Sequence, residues 1–392
     1  MNYLAISLHR LGDLLMHGHI LQQLNLQHKV KIDLLTHSFF QSVDFLFPFI
    51  NKKNIFYREA CQYSIGEPQF NKSWPFLHIE KLLESINNDD IHLAIDFSQT
   101  DTSSRWMTFI KAKNKIGISY NHQLIQKEFT STEPMIRYLH SNQRSKIHLI
   151  DLFKKSLNLK LNQLPKTDDC IKRKKLIIFQ TLTSDNKKNW PIENWKNLIN
   201  KISQRLPDYE LIILSSRNEY QFLSSNFFNL PYNCSIEITD LKSTFDLLLQ
   251  AQLLVTLDTS IKHLATWSKT QIIEIIVGSS SPLETGAYQE NAIIVQPNVS
   301  CHPCGHSQSC SQKNFICHES IPTLLIELII YKRLSLSLSK SETQILINHK
   351  NQISFVSQNL DGFWCLKPYN QMSEDENARR NQSKLENNNQ AY

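Results

Sequence analysis

Three short polar clusters interrupt the apolar runs of this chain, and each is made of residue types that handle protons or phosphates. The first is Arg10-Leu11-Gly12-Asp13. A carboxylate between a strand and the helix that follows can take a proton from a hydroxyl as a general base. An aspartate in that place also serves as a helix cap. The second cluster, Thr183-Ser184-Asp185-Asn186-Lys187-Lys188-Asn189-Trp190-Pro191, sets hydroxyls and an ammonium just ahead of a helix N-terminus, where an anion can be held. An exposed polar loop closed by Trp-Pro has the same composition. In the third, Thr256-Leu257-Asp258-Thr259-Ser260-Ile261-Lys262-His263, a strand runs out into Asp, Thr and Ser at the head of a helix. Backbone N–H groups and hydroxyls there can receive phosphate oxygens. A plain structural cap followed by a satisfied histidine would read alike.

A fourth cluster is of another kind. Cys301, Cys304, Cys310 and Cys317 follow a C-x2-C-x5-C-x6-C spacing. A chelating pair plus two further thiolates can close a tetrahedral site for zinc or iron, and both metals accept four thiolates. Disulfides are the rival reading, which a reducing cytoplasm disfavours. Four protein ligands leave no open position, so the expected role is structural. His302, His306 and His318 are alternates should one cysteine not be a ligand. Cys61, Cys170, Cys234 and Cys365 are dispersed and read as ordinary small residues.

The elements that would position these clusters repeat one grammar. Residues 2 to 8 read as a strand, and Leu14 to Leu24 as a helix behind the Gly12-Asp13 turn. Strands at Lys29–Leu35, His92–Phe97 and Lys115–Ile118 alternate with helices at Ile79–Ile86 and Ser103–Ala112. After a basic, proline-containing stretch from Leu164 to Lys175 the grammar restarts, with strands at Leu176–Gln180, Glu210–Leu214, Leu253–Leu257 and Ile272–Val277. Between them lie helices at Ile192–Arg205, Ser243–Ala251 and Ile261–Ser268. Alternation of this sort implies parallel sheets covered by helices, hence an α/β fold of two domains, residues 1–168 and 174–330. A C-terminal extension, 331–392, would hold a hairpin at Ile345–Val356 and a disordered tail from about residue 371. Loops gathered at the carboxyl ends of two such sheets predict a ligand cleft between the domains.

Composition removes several classes. At 392 residues, 41% hydrophobic and 20% charged, the chain has the balance of a globular protein of about two domains. Its first residues do not read as a signal peptide, so a cytoplasmic location is expected. No window offers the ~18 uncharged apolar residues of a membrane span; Phe39 to Ile50 is too short and carries Asp44. The net charge of +6 would suit the anionic inner face of the inner membrane or a phosphorylated acceptor. Scattered Lys and Arg without a recognition motif argue against nucleic acid. Arg105, Lys111, Lys113 and Lys115 could meet acceptor phosphates or carboxylates, or form a solvated helix face. Eight glycines are few for a protein that binds phosphate.

Taken in order, the Gly12-Asp13 turn, Lys188-x-Trp190-Pro191 with Trp195, Glu219, Asp258-Thr259-Ser260-x-x-His263 and Gly278-Ser279-Ser280-Ser281-Pro282 resemble the ADP-heptose transferases of glycosyltransferase family nine. The likeness spans most of residues 1 to 330. It implies the two-Rossmann-domain GT-B architecture, an ADP-heptose donor, and inversion at the sugar carbon with no catalytic metal. Asp13 would be the base. Lys188, catalytic with Asp13, would stabilise the departing diphosphate together with Ser184, Thr259 and Ser260. Thr183 and Asp258 would also bind the donor, Glu219 would hold its ribose and His263 would steady the phosphate loop, with Arg10 and Arg105 on the acceptor side. The acceptor would be a lipopolysaccharide core hydroxyl or a protein, because similar cysteine fingers occur in relatives that glycosylate proteins and bind iron. Ser260 stands where the family has glycine, and glycines are missing near Thr181 and Ser215. A non-catalytic nucleotide-sugar-binding relative is the alternative.

Overall fold

A computed structural model describes residues 1–67, 69, 71–121, 127–129, 147–160, 173–305, 308–312, 314–359 and 361–369. The tail expected to be disordered from residue 371 lies outside them. The chain divides into two compact units, Met1–Leu161 and Asn162–Tyr392.

The first unit is built on five strands, β1 (Asn2–Ser7), β2 (Lys31–His37), β3 (Ile50–Phe56), β4 (Ile91–Asp96) and β5 (Asn114–Ile116), in the order β3-β2-β1-β4-β5. All neighbours are parallel, so each connection must cross over, and helices serve as crossovers. These are α1 (Leu11–His28), α2 (Arg58–Gly66), α3 (Trp74–Asn87) and α4 (Asp101–Phe109); α5 (Leu149–Ser156) follows later. A small antiparallel pair, β6 (Ile118–Tyr120) and β7 (Lys127–Phe129), stands apart from the main sheet. Leu4, Ile6, Leu35, Ile91, Trp106 and Met107 share one buried core. The near-continuous apolar runs of β1 and β2 are what a sheet covered on both faces demands.

The second unit carries eight strands in the order β10-β9-β8-β11-β12-β13-β14-β15. They are β8 (Lys174–Gln180), β9 (Glu210–Ser215), β10 (Cys234–Ile238), β11 (Ala251–Leu257), β12 (Gln271–Ile275), β13 (Ile293–Val295), β14 (Ile353–Gln358) and β15 (Trp364–Pro368). β8 to β13 run parallel, while β14 and β15 are antiparallel to their neighbours. The helices of seven or more residues are α6 (Ile192–Arg205), α7 (Tyr220–Asn226), α8 (Leu241–Gln250), α9 (Ser260–Ser268), α10 (Thr323–Arg333) and α11 (Lys340–Asn348). α6 shows how sequence dictates packing. Trp195, Leu198, Ile199 and Ile202 recur at helical spacing and are all buried. Each contributes roughly 1.5–3 kcal/mol by leaving water. Trp190 and Trp195 meet edge to face at 5.2 Å, and the Trp190 indole N–H donates to the Ile321 carbonyl at 3.1 Å.

The expected hairpin at Ile345–Val356 is corrected: that stretch is the end of α11 followed by β14. The reason is a capping box. Ser339 Oγ accepts the Glu342 N–H at 3.2 Å and Glu342 returns a carboxylate oxygen to the Ser339 N–H at 2.6 Å, which starts a helix at Lys340, ahead of the apolar run that begins at Ile345. β14 then pairs with β13 and β15, extending the second sheet past the parallel strands. β3 and β10 have no counterpart in the sequence reading. Both are edge strands whose polar, partly exposed residues hide the alternation.

Leu346, Phe355, Val356 and Trp364 are all buried in the second unit. A chain ended after Leu338 is therefore expected to lower the unit's melting temperature by at least ~5 °C or to become insoluble, since each large apolar truncation costs about 2–5 kcal/mol. Unchanged melting in a calorimetric scan would refute the integration of β14 and β15.

Candidate active site

In the second unit, four loops leave the carboxyl edge of one parallel sheet: after β8 (Thr181–Asn189), β9 (Ser216–Glu219), β11 (Asp258–Thr259) and β12 (Ile276–Ser281). Ligands of open α/β sheets bind at that edge. Asp258 lies at its centre. Lys188 Nζ donates to Asp258 Oδ2 at 2.9 Å, Ser280 Oγ donates to the same oxygen at 2.6 Å, and Lys262 Nζ donates to Oδ1 at 2.5 Å. Lys262 is wholly enclosed and also donates to Glu274 Oε1 at 2.6 Å and to the Thr285 carbonyl at 2.8 Å. Glu274, equally buried, accepts the Ala287 N–H at 2.9 Å on its other oxygen.

Burial opposes the charge on Asp258, but Lys262 and then Lys188 outweigh it and hold the carboxyl well below the usual carboxylate range. Burial pushes Glu274 up to about 6 against the pull of Lys262. Burial also works against the Lys262 ammonium, and its two carboxylates more than reverse that. Two cations and two anions thus balance around one strand end. Lys188 stands on the side of the cluster that reaches solvent, with 13% of its side chain exposed against none of Lys262.

The loop carrying Lys188 is shaped by its own side chains. Thr183 Oγ1 donates to the Asp185 carbonyl at 2.8 Å and accepts the Asp185 N–H at 3.1 Å, while the Thr183 N–H reaches Asn189 Oδ1 at 2.7 Å. Residues Asn186–Lys188 then form one 3-10 turn, with Asp185 Oδ1 accepting the Lys187 N–H at 3.0 Å. Ser184 is exposed in this loop. Thr259 is the N-cap of α9 with extended backbone (φ −132, ψ 169), yet its side chain makes no capping hydrogen bond, and Ser260 opens the first turn. The hydroxyls of Thr181 and Ser279 are buried at the ends of β8 and just past β12 without a hydrogen-bond partner among the described residues.

Sequence reasoning grouped Lys188 and Asp258, and the structure brings them into contact. Glu219 closes its own turn after β9, accepting the Ser216 N–H at 2.9 Å, one strand from the Lys188 loop. His263 is buried in α9. Lys262, Glu274 and Ser280 were missed as site residues. A glutamate inside the apolar run Gln271–Ile275 was the available signal, since a charge there must find a buried partner. Thr181, Ser215 and Ser260 are not among the residues with positive φ, so the glycines absent there are not needed by the backbone.

In the first unit Asp13 follows β1 at position N3 of α1, and its Oδ2 accepts the Arg10 N–H at 3.2 Å. Asp13 thus takes part in closing the helix turn, with 28% of its side chain exposed. His9 Nδ1 lies 3.8 Å from the same oxygen, with His9 Nε2 held on the Ser98 carbonyl at 2.7 Å. The Arg10 side chain is exposed, and the Arg105 guanidinium on α4 lies over the Tyr120 ring at 4.9 Å.

The cysteine segment packs against the loops after β8 and β12. The Cys304 N–H donates to the Gly278 carbonyl at 3.1 Å, Lys187 Nζ to the Gln308 carbonyl at 2.9 Å, and His318 Nε2 to the Lys187 carbonyl at 2.8 Å. Cys301, Cys304, Cys310 and Cys317 are free thiols. Burial raises the Cys317 thiol, and Cys301 and Cys304 nearby add to the rise. Among the described residues no group of three or more His, Cys, Asp or Glu is placed to hold a metal ion. As arranged, the thiols do not form the tetrahedral set that their spacing predicts.

The sequence model of glycosyltransferase family 9 (heptosyltransferase) matches residues 79–315, more than half of the chain, and the chain belongs to that family of enzymes. Solved structures agree in fold. E. coli heptosyltransferase WaaC with ADP is 15% identical, with a TM-score of 0.60 over 85% of this chain and 100% of that one. E. coli ADP-heptose lps heptosyltransferase II is 14% identical, with a TM-score of 0.60 over 86% and 99%. A family 9 glycosyl transferase from Veillonella parvula DSM 2008 is 16% identical, with a TM-score of 0.60 over 85% and 97%. No curated protein sequence matches the chain. No helix among the described residues is long and apolar enough to cross a membrane.

Gly278 couples the site's loops. Its φ is +67, and a Cβ there would fall 2.1 Å from the Lys187 carbonyl oxygen. Gly278→Ala is expected to lower the melting temperature and to displace the Lys187–Lys188 turn, weakening anion binding at least tenfold. Unaltered melting together with unaltered ADP titration would show that the contact does not matter.

Proposed function

We propose that the enzyme transfers a heptose from ADP-heptose to a hydroxyl of a lipopolysaccharide core, with inversion at the sugar carbon. The observation that carries this reading is the Lys188–Asp258–Ser280 cluster at the carboxyl edge of the second sheet, beside the uncapped head of α9. The two E. coli proteins whose fold this chain shares are named for heptose transfer, one with ADP bound and one acting on lps, which supports the choice of donor and acceptor.

In this mechanism the acceptor hydroxyl gives its proton to the Asp13 carboxylate as its oxygen bonds to the sugar carbon. The bond from that carbon to the diphosphate breaks on the opposite face, and its electron pair stays with the departing ADP. Lys188, with the N–H groups and hydroxyls of Thr259 and Ser260, stabilises the charge that builds there. Thr183 and Ser184 line the same loop, Glu219 receives the ribose and His263 supports the phosphate turn. Arg10 and Arg105 face acidic groups of the acceptor. None of these roles requires a catalytic metal.

ADP at a saturating concentration is expected to raise the melting temperature of the purified protein by more than UDP or GDP, as a ligand of the folded state alone must. Asp13→Asn should remove heptose transfer from ADP-heptose by at least ~100-fold while leaving the ADP shift intact. Equal shifts from all three nucleotides, or a fully active Asp13→Asn variant, would overturn this reading.

The cysteine segment has a structural place in it, seating Lys187 and Gly278. For its thiols to hold zinc or iron they would have to converge further than they do. About one equivalent of metal per chain by mass spectrometry, lost in Cys304→Ser, is the outcome a structural metal requires. Metal-free protein with unaltered stability would rule it out.

A further inference from the structure

We infer that Lys262 and Glu274 are positioning residues that set how much of the Lys188 charge is available to the donor diphosphate; this rests on the preceding reading of the Lys188 loop. Lys262 cannot meet a ligand itself. It is fully enclosed, and its ammonium already donates to Asp258, Glu274 and the Thr285 carbonyl. What it does meet is Asp258, the one carboxylate that also holds Lys188.

The geometry makes Asp258 a shared anion. Its Oδ1 belongs to Lys262 at 2.5 Å, and its Oδ2 is divided between Lys188 at 2.9 Å and the Ser280 hydroxyl at 2.6 Å. A carboxylate bound by one cation only would draw that cation tightly in so enclosed a place. With Lys262 supplying a fixed buried charge, Asp258 orients Lys188 without consuming it. Glu274 works in the opposite sense. Anchored by the Ala287 N–H at 2.9 Å, it takes part of the Lys262 charge for itself, so that less of that charge reaches Asp258. The order of influence runs from Glu274 on β12 to Lys262 on α9, to Asp258 at the end of β11, to Lys188 after β8. Three adjacent strands of the sheet are thereby tied to one ammonium.

Two charge changes of opposite sign follow. Lys262→Met alone would strand a buried Glu274, so the pair is removed together as Lys262→Met with Glu274→Leu, which removes both buried charges at once at the cost of their hydrogen bonds to the Thr285 carbonyl and the Ala287 N–H. In this variant Lys188 is the sole cation on Asp258, and ADP should bind about tenfold more weakly, the size of one compromised charge-assisted contact. Glu274→Met alone leaves Lys262 to serve Asp258 only, so ADP should bind roughly threefold more tightly.

The readout is the ADP dissociation constant by titration calorimetry on the full chain, with circular dichroism and melting to verify folding. The same pair replacement is repeated in an Asp258→Asn background. There the intermediary charge is gone, so the pair should change ADP affinity by less than twofold. A structural role alone would give the same loss in both backgrounds, which would overturn the inference. So would a folded pair variant binding ADP like wild type, or a Glu274→Met variant that binds more weakly. If the pair variant does not fold, the sign of the Glu274→Met change decides. Wild-type protein that does not bind ADP at all would remove the donor-site reading and this inference together.

Discussion

A carboxylate cannot be taken from water into the end of a buried strand unless cations and hydroxyls meet it there. Asp258 is such a carboxylate, and much of the second unit's architecture answers to it. α9 supplies Lys262 one turn beyond the strand, the loop after β8 supplies Lys188, and the loop after β12 supplies Ser280. Glu274 completes the balance from within β12. A network of this sort ties four loops and strands to one geometry at the carboxyl edge of the sheet. Its worth lies in position rather than in net stability, because desolvation of four charges offsets most of what their attraction contributes.

The second constraint is close approach. Gly278 brings the loop after β12 onto the carbonyl of Lys187, a contact that no side chain would tolerate. The cysteine segment then closes over the same residues, with Cys304 on Gly278, Gln308 on Lys187, and His318 on the Lys187 carbonyl. A region with little regular structure of its own is therefore held by hydrogen bonds to the loops after β8 and β12. The low glycine content of the chain acquires a physical meaning here. Thr181, Ser215 and Ser260 sit in ordinary backbone conformations and do without glycine, while Gly278 occupies a left-handed one and cannot.

In the first unit a simpler solution serves. Asp13 is both the third residue of a helix, receiving the Arg10 N–H, and a side chain that reaches solvent at the carboxyl end of β1. Capping and chemistry are often set against each other as readings of an aspartate. Here the hydrogen bond that closes the turn also fixes the direction of the carboxylate.

The α/β class, the alternation of strands and helices, and the polar clusters at strand ends were all legible in the chain. Apolar runs of 5 to 7 residues flanked by amphipathic helices, such as β8 and β11 around α6 and α8, admit few other arrangements, because each apolar face must find a partner. Edge strands β3 and β10 were hidden, since a half-exposed strand keeps too little alternation to be seen. Ile345–Val356 was misread because local periodicity carries no weight against the capping box that Ser339 and Glu342 form upstream. Local pattern is set by neighbours in sequence and is written there. Which cation meets which anion is decided by strands that lie side by side in the sheet but far apart in the chain. Lys262 and Glu274 are twelve residues apart and Lys188 is seventy from Asp258, so only the folded sheet could reveal that they share one carboxylate's charge.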